Sequence, residues 1–252
     1  MSSDSPGALK GRAALVTGAA SGIGRAIAQR LDRDGVQVLG VDRRAEGPVE
    51  MFEADLCDAD ANAAAVREAV ARFGRLDIVV AGAGIQHVSP IAEFPIDRWR
   101  TIIDLMLTSP FLLARASWPQ LAASGSGRFI VIASAHALAA SPFKAAYVSA
   151  KHGVLGLVKT LALEGAADEI TTTAVCPGYV RTPLVEAQIA DQARAHGVAE
   201  SEVLETVLLA PQAIKRLIEP EEVADVVAFL AGPSGRSFTG VPVTMDEGWT
   251  AR

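Results

Sequence analysis

The chain has 252 residues, half of them hydrophobic, enough apolar side chain for a large core. Twenty-three Lys and Arg stand against 29 Asp and Glu, a net charge of −6 with no basic stripe, which argues against a nucleic-acid or anionic-membrane partner. No apolar run is long enough to span a bilayer, and Met1 to Lys10 has no apolar stretch of the secretory kind, so a cytoplasmic protein is expected. Cys57 and Cys176 lack metal-ligand or Cys-x-x-Cys spacing and read as two buried structural thiols; His87, His152 and His196 show no metal-site spacing either.

Short Val/Ile/Leu-rich runs at 12–17, 36–41, 49–53, 76–81, 128–133, 170–175 and 241–245 predict strands. Helical patterns fill most of 22–34, 59–73, 95–121, 145–166 and 219–231. This alternation predicts an α/β fold: a doubly wound (Rossmann) parallel sheet of about seven strands with helices on both faces, in a single domain over 1–252 with no repeat or linker. The helical segment between Pro183 and Pro220, interrupted at Gly197, is longer than a crossover needs. It reads as a substrate lid, or alternatively as a surface helix pair or subunit contact.

The first strand runs into Gly18-Ala19-Ala20-Ser21-Gly22-Ile23-Gly24 and then a helix. Gly18 and Gly22 permit a tight turn and close approach of backbone to a pyrophosphate, and Gly24 lets the helix pack on its strand. The second strand ends at Asp42, whose carboxylate suits an adenosine ribose and repels a 2′-phosphate, favouring NAD over NADP. Arg43 and Arg44 follow and could hold a phosphate. Ser134 ends the fifth strand, and thirteen residues later Tyr147 and Lys151 stand four apart, on one face of a helix. A fixed ammonium one turn from a phenol favours the phenolate, which makes the pair suited to proton transfer.

The glycine turn, the strand-end serine and Tyr147-x-x-x-Lys151 together resemble the short-chain dehydrogenase/reductase family over nearly the whole chain. Within it, Ile85-Gln86-His87-Val88, Ser134-Ala135-His136, Ser141-Pro142-Phe143-Lys144, the stretch from Thr182 to Gln188 and Gly248-Trp249-Thr250-Ala251 are similar to the 3-hydroxybutyrate dehydrogenases. The resemblance implies hydride transfer between D-3-hydroxybutyrate, or a closely related 3-hydroxy acid, and NAD, giving acetoacetate and NADH. It implies that Tyr147 takes the hydroxyl proton, Lys151 stabilises the phenolate and holds the nicotinamide ribose, and Ser134 bonds the reacting oxygen. It places the cofactor against Gly18, Ser21, Gly22, Ile23, Gly24, Asp42, Asp55, Leu56, Tyr147, Lys151, Pro177, Val180 and Thr182. It places the substrate carboxylate among Gln86, His136, Lys144 and Gln188, with Tyr179 and Trp249 closing the pocket, and it implies a homotetramer.

Two positions depart from the family pattern. Met106 stands where an asparagine usually helps hold a water for proton relay, and Ala81-Gly82-Ala83-Gly84 replaces Asn-Asn-Ala-Gly. Thr108, or backbone carbonyls and waters, are the expected substitutes. The alternatives are a short-chain dehydrogenase for another alcohol or ketone, and an NAD(H)-binding protein of low turnover.

Overall fold

The computed structural model describes residues 8–251. Seven strands, β1 (Ala13–Thr17), β2 (Gln37–Asp42), β3 (Glu50–Glu53), β4 (Ile78–Ala81), β5 (Arg128–Ile132), β6 (Thr171–Pro177) and β7 (Pro242–Met245), form one sheet in the order β3-β2-β1-β4-β5-β6-β7. Every pairing is parallel, with Leu15 opposite Leu39 on one side and Val79 on the other. The expected sheet is therefore present, each strand starting and ending within two residues of its sequence-predicted bounds.

Because successive side chains in a strand point to opposite faces, β1 feeds two cores. Leu15 joins Val79, Phe129 and residues of α2 (Ala59–Phe73), α4 (Ser109–Ala123) and α5 (Ala145–Glu164). Ala14 and Val16 join residues of α1 (Gly22–Arg33) and α9 (Pro220–Ala231) on the other face. Local signals fix the helix ends: Asp58 caps α2 by accepting from Asp60 N at 3.0 Å, and Gly74 stops it in a left-handed conformation.

The predicted helix over 95–121 is instead composite. It runs as α3 (Ile96–Ile103), widens to π-helical winding over Asp104–Thr108, and continues as α4 to Ala123. A π segment inserts a residue without changing the apolar pattern on either side, so periodicity does not reveal it. The expectation of two buried thiols holds for Cys176 only, since Cys57 is exposed. Beyond Pro183 the chain forms α6 (Pro183–Glu186), α7 (Ile189–His196) and α8 (Glu200–Val203), the last widening over Leu204–Leu208, with Gly197 ending α7 at positive φ. Among the described residues no helix is long and apolar enough to cross a membrane, and no cluster of His, Cys, Asp or Glu could hold a metal ion.

At the amino edge of the sheet, fully buried Asp77 accepts from Ala13 N at 2.8 Å and pairs with Arg75 through two bonds of 2.8 and 2.6 Å. It ties β4 to β1 at the end opposite the glycine turn. Asp77→Ala leaves a buried N–H unpaired and is expected to cost about 2 kcal/mol, read as a fall in Tm of about 4–8 °C, with dinucleotide affinity unchanged.

Candidate active site

The glycine turn opens a cavity of about 610 Å³ at the carboxyl ends of the strands, where the sheet order reverses between β1 and β4. Gly18 and Gly22 have positive φ. A Cβ on Gly24 would lie 2.3 Å from Gly18 O, and one on Gly18 would lie 3.0 Å from Ala83 Cα, so neither position admits a side chain. Ser21, at the N-cap of α1, makes no side-chain cap bond. A backbone cradle at the start of a twelve-residue helix, with a free hydroxyl beside it, fits a pyrophosphate. Farther along the wall lie Asp42, which accepts from Ala20 N at 3.1 Å, and Asp55 with Leu56, while Pro177, Val180 and Thr182 face them from β6 and its loop. The residues present therefore fit a nicotinamide dinucleotide.

The residues expected to carry the chemistry meet in the same cavity. Ser134, Tyr147 and Lys151 all line it, Ser134 from the end of β5 and the other two from the first turns of α5. Burial pushes the Tyr147 phenol up to about 12, opposed by its hydrogen bond with Ser134. Lys151 donates to Ile132 O at 2.6 Å and stands 5.6 Å from the Tyr147 ring centre; burial brings its amine down to about 8. Desolvation is the largest influence on the Tyr147 phenol, and the direct bond of the Lys151 ammonium goes to a backbone carbonyl.

The opposite end is built from Gln86, His136, Lys144, Tyr179, Gln188 and Trp249, all of which line the cavity. Phe143 has φ 66, a left-handed conformation rare for a bulky residue, and it turns the next side chain inward. Lys144 immediately precedes α5 and is only 2% exposed. Its Nζ donates to Tyr179 Oη at 2.9 Å, and burial lowers its amine to about 7. The carbonyl of Gln86 accepts from His87 N, leaving its NH2 group to donate, and the carbonyl of Gln188 accepts from Gln192 Nε2 at 3.3 Å. Tyr179 and Trp249 stack with ring centres 5.8 Å apart, and His136 meets the Trp249 ring edge-on at 4.7 Å.

His136 is placed differently from the expectation. Its Nδ1 lies 3.3 Å from Ser134 Oγ and its Nε2 3.0 Å from Ser141 Oγ, so both nitrogens have side-chain partners and neither is left for a carboxylate.

One further residue emerges, Thr17. Thr17 Oγ1 accepts from Gly82 N and Ala83 N at 2.9 and 3.1 Å, replacing the side-chain bonds that Ala81–Gly84 cannot make. A threonine closing the first strand was visible in the sequence, but its partner strand was not. Buried Met106 lines the cavity within the π segment and packs by Gly84, whereas Thr108 is exposed and outside the lining, so Thr108 does not substitute for the family's asparagine. Arg43 and Arg44 also line the cavity, beside Asp42.

A model of the short chain dehydrogenase family matches residues 12–193, and the chain belongs to that family, as a nicotinamide-dependent oxidoreductase. It is 43% identical to D-beta-hydroxybutyrate dehydrogenase of Rhizobium meliloti, over 96% of this chain and 99% of that one. It is 35% identical to cis-4-hydroxycyclohexanecarboxylate dehydrogenase of Sinomonas cyclohexanicum, over 95% and 97%. Among solved structures, a protein from Beutenbergia cavernae described as an NAD(P)-dependent gluconate 5-dehydrogenase, with bound NADP, superposes with a TM-score of 0.85 at 34% identity, covering 98% of this chain and all of that one.

Gly24→Ala forces a methyl group into Gly18 O. The expected result is loss of dinucleotide binding by at least tenfold in fluorescence titration, as the turn must move out of its phosphate-holding shape.

Proposed function

We propose that this chain is an NAD-dependent oxidoreductase interconverting D-3-hydroxybutyrate, or a closely related 3-hydroxy acid, and acetoacetate. The observation that carries the reading is Lys144, a buried amine in the cavity wall whose one side-chain partner is a neutral phenol. A desolvated amine without a counter-ion favours an anionic ligand, and Lys144 shares the cavity wall with Tyr147. Gln86 and Gln188 add neutral amide donors, and the Tyr179–Trp249 stack forms the apolar wall.

The dinucleotide supplies the hydride acceptor when bound. Tyr147 receives the substrate hydroxyl proton, and Ser134 holds the reacting oxygen by hydrogen bond. Lys151, at the base of the site, orients the nicotinamide ribose and adds positive charge near the phenolate. Helices α6 to α8, which bring Val185, Ala193 and Val203 against Tyr179 and Trp249, act as the lid that excludes water.

Following NADH absorbance across a panel of hydroxy acids, sugars and uncharged alcohols tests the assignment; preference for an uncharged alcohol or a sugar overturns it. Lys144→Ala should lower kcat/KM for 3-hydroxybutyrate about 30- to 100-fold, mostly through KM, with NAD affinity unchanged. Because burial lowers the Lys144 amine to about 7, its charge is present below that pH and lost above it. KM for the anionic substrate should therefore climb as pH rises through about 7, and this limb should vanish in Lys144→Ala.

Cofactor preference rests on Asp42, whose carboxylate lines the cavity at the end of β2 and would repel a 2′-phosphate. Asp42→Ala, which leaves Arg43 and Arg44 in place, should improve kcat/KM with NADP about tenfold or more relative to NAD. Equal use of both cofactors by the wild-type protein would contradict this account.

A further inference from the structure

The partners of Ser134 reach beyond the three residues that the proposed reaction uses. Ser134 Oγ accepts from His136 N at 3.1 Å, stands 3.3 Å from His136 Nδ1, and lines the cavity with Tyr147, whose phenol it pulls down against burial. The other ring nitrogen of His136, Nε2, is 3.0 Å from Oγ of Ser141, a half-buried residue of the loop leading to Lys144. His136 is itself held in place, with the rings of Tyr147, Tyr179 and Trp249 all edge-on to it at 5.6, 6.2 and 4.7 Å.

A neutral imidazole carries one ring proton, so this chain has two possible directions. In one, His136 holds the proton on Nε2 and gives it to Ser141. Nδ1 then takes the only proton of Ser134, leaving that hydroxyl nothing to donate to a phenolate or to a substrate oxygen. In the other, the proton sits on Nδ1 and points at Ser134 Oγ, already an acceptor for His136 N. The Ser134 proton is then free.

We propose that Ser141 and His136 are positioning residues that hold Ser134 as a donor: Ser141 O–H donates to His136 Nε2, His136 Nδ1–H donates to Ser134 Oγ, and Ser134 O–H faces the reacting oxygen and Tyr147. The inference rests on the reading of Tyr147 as proton acceptor, because an ionised Tyr147 can only accept and needs a donor beside it. No proton is consumed along the chain; it fixes a direction, as the substrate proton passes to Tyr147. His136 stays neutral because it is buried and because the ammonium groups of Lys144 and Lys151, together with His152, oppose a positive charge there; the remaining titratable groups against it are the phenols Tyr147 and Tyr179, both shifted upward by burial, of which only Tyr147 ionises in the proposed reaction. The ring thus has one tautomer to select, and the Ser141 hydroxyl selects it.

Ring-¹⁵N histidine labelling tests this on the whole protein without substrate, the His136 signals being assigned by their loss in His136→Gln. Nδ1 should be protonated and Nε2 unprotonated in the wild type, and Ser141→Ala should shift the population toward Nε2–H. Nε2–H in the wild type overturns the proposal. In kinetics, Ser141→Ala should lower kcat about tenfold, the worth of one well-placed hydrogen bond, and move the rising limb of the kcat–pH profile to higher pH. KM and NAD affinity should stay within about twofold, and Ser141→Thr should restore both kcat and profile. An unchanged kcat and pH profile in Ser141→Ala also overturns it. If the protein turns over no 3-hydroxy acid, the proposed substrate fails while the tautomer measurement keeps its meaning; a correct substrate with an Nε2–H ring refutes the chain alone.

Discussion

The hydroxyl of Thr17 joins the two strands between which the cleft opens. At the end of β1 it accepts from Gly82 N and Ala83 N just beyond β4, and so fixes the gap at the point where the strand order reverses. A parallel sheet covered on both faces offers a ligand only its strand ends, and these end backbones must be satisfied without filling the space. Small residues achieve this: Gly18 lies so close to Ala83 that a Cβ would meet its Cα at 3.0 Å, and a Cβ on Gly82 would lie 2.9 Å from Thr17 O. One threonine across the switch point provides the polar contact, and close backbone packing provides the rest.

The electrostatics of the cavity follow from what it buries. Two amines, Lys144 and Lys151, are sunk into its walls, and burial brings them to about 7 and about 8. Each spends a hydrogen bond on a neutral oxygen, Tyr179 Oη for one and Ile132 O for the other. The carboxylates that line the cavity lie at the end of β2 (Asp42) and just after β3 (Asp55), away from Lys144 immediately before α5. Separating acid from base in this way gives the two ends of one cleft opposite preferences: the acidic end suits ribose hydroxyls and the amine end suits a carboxylate.

Most of this architecture was legible in the chain because it depends on local rules. Strand and helix runs were readable from apolar period, α2 from an aspartate and a glycine at its ends, and the site from a glycine turn, a strand-end serine and a helical Tyr/Lys pair. What escaped depends on contacts between distant segments or on atoms rather than residues. The π segment at 104–108 leaves the flanking apolar pattern intact. The exposure of Cys57 follows from where the loop after β3 lies. The identity of His136 suggested a ligand for a carboxylate, but only the positions of its two nitrogens reveal that serines occupy both. Spacing can bring Tyr147 and Lys151 to one helix face; it cannot tell that the ammonium reaches Ile132 O.

Met106 connects these strands of argument. With Ile102, Ala146 and Ala150 it forms a small buried cluster against which Tyr147 packs, so a thioether stands where a polar amide is usual. A thioether donates no hydrogen bond and accepts only weakly, so it holds water poorly there, and an apolar neighbour raises the cost of charging the phenol. That cost is visible in Tyr147, which burial drives upward while the bond to Ser134 pulls it down. In a site made drier by methionine, the partner of Tyr147 that offsets desolvation is Ser134, and the stabilisation it provides depends on which way its single proton points. On the reading of Tyr147 as proton acceptor, Met106 thus leaves the support of a phenolate to the end of β5 and the imidazole two residues beyond it.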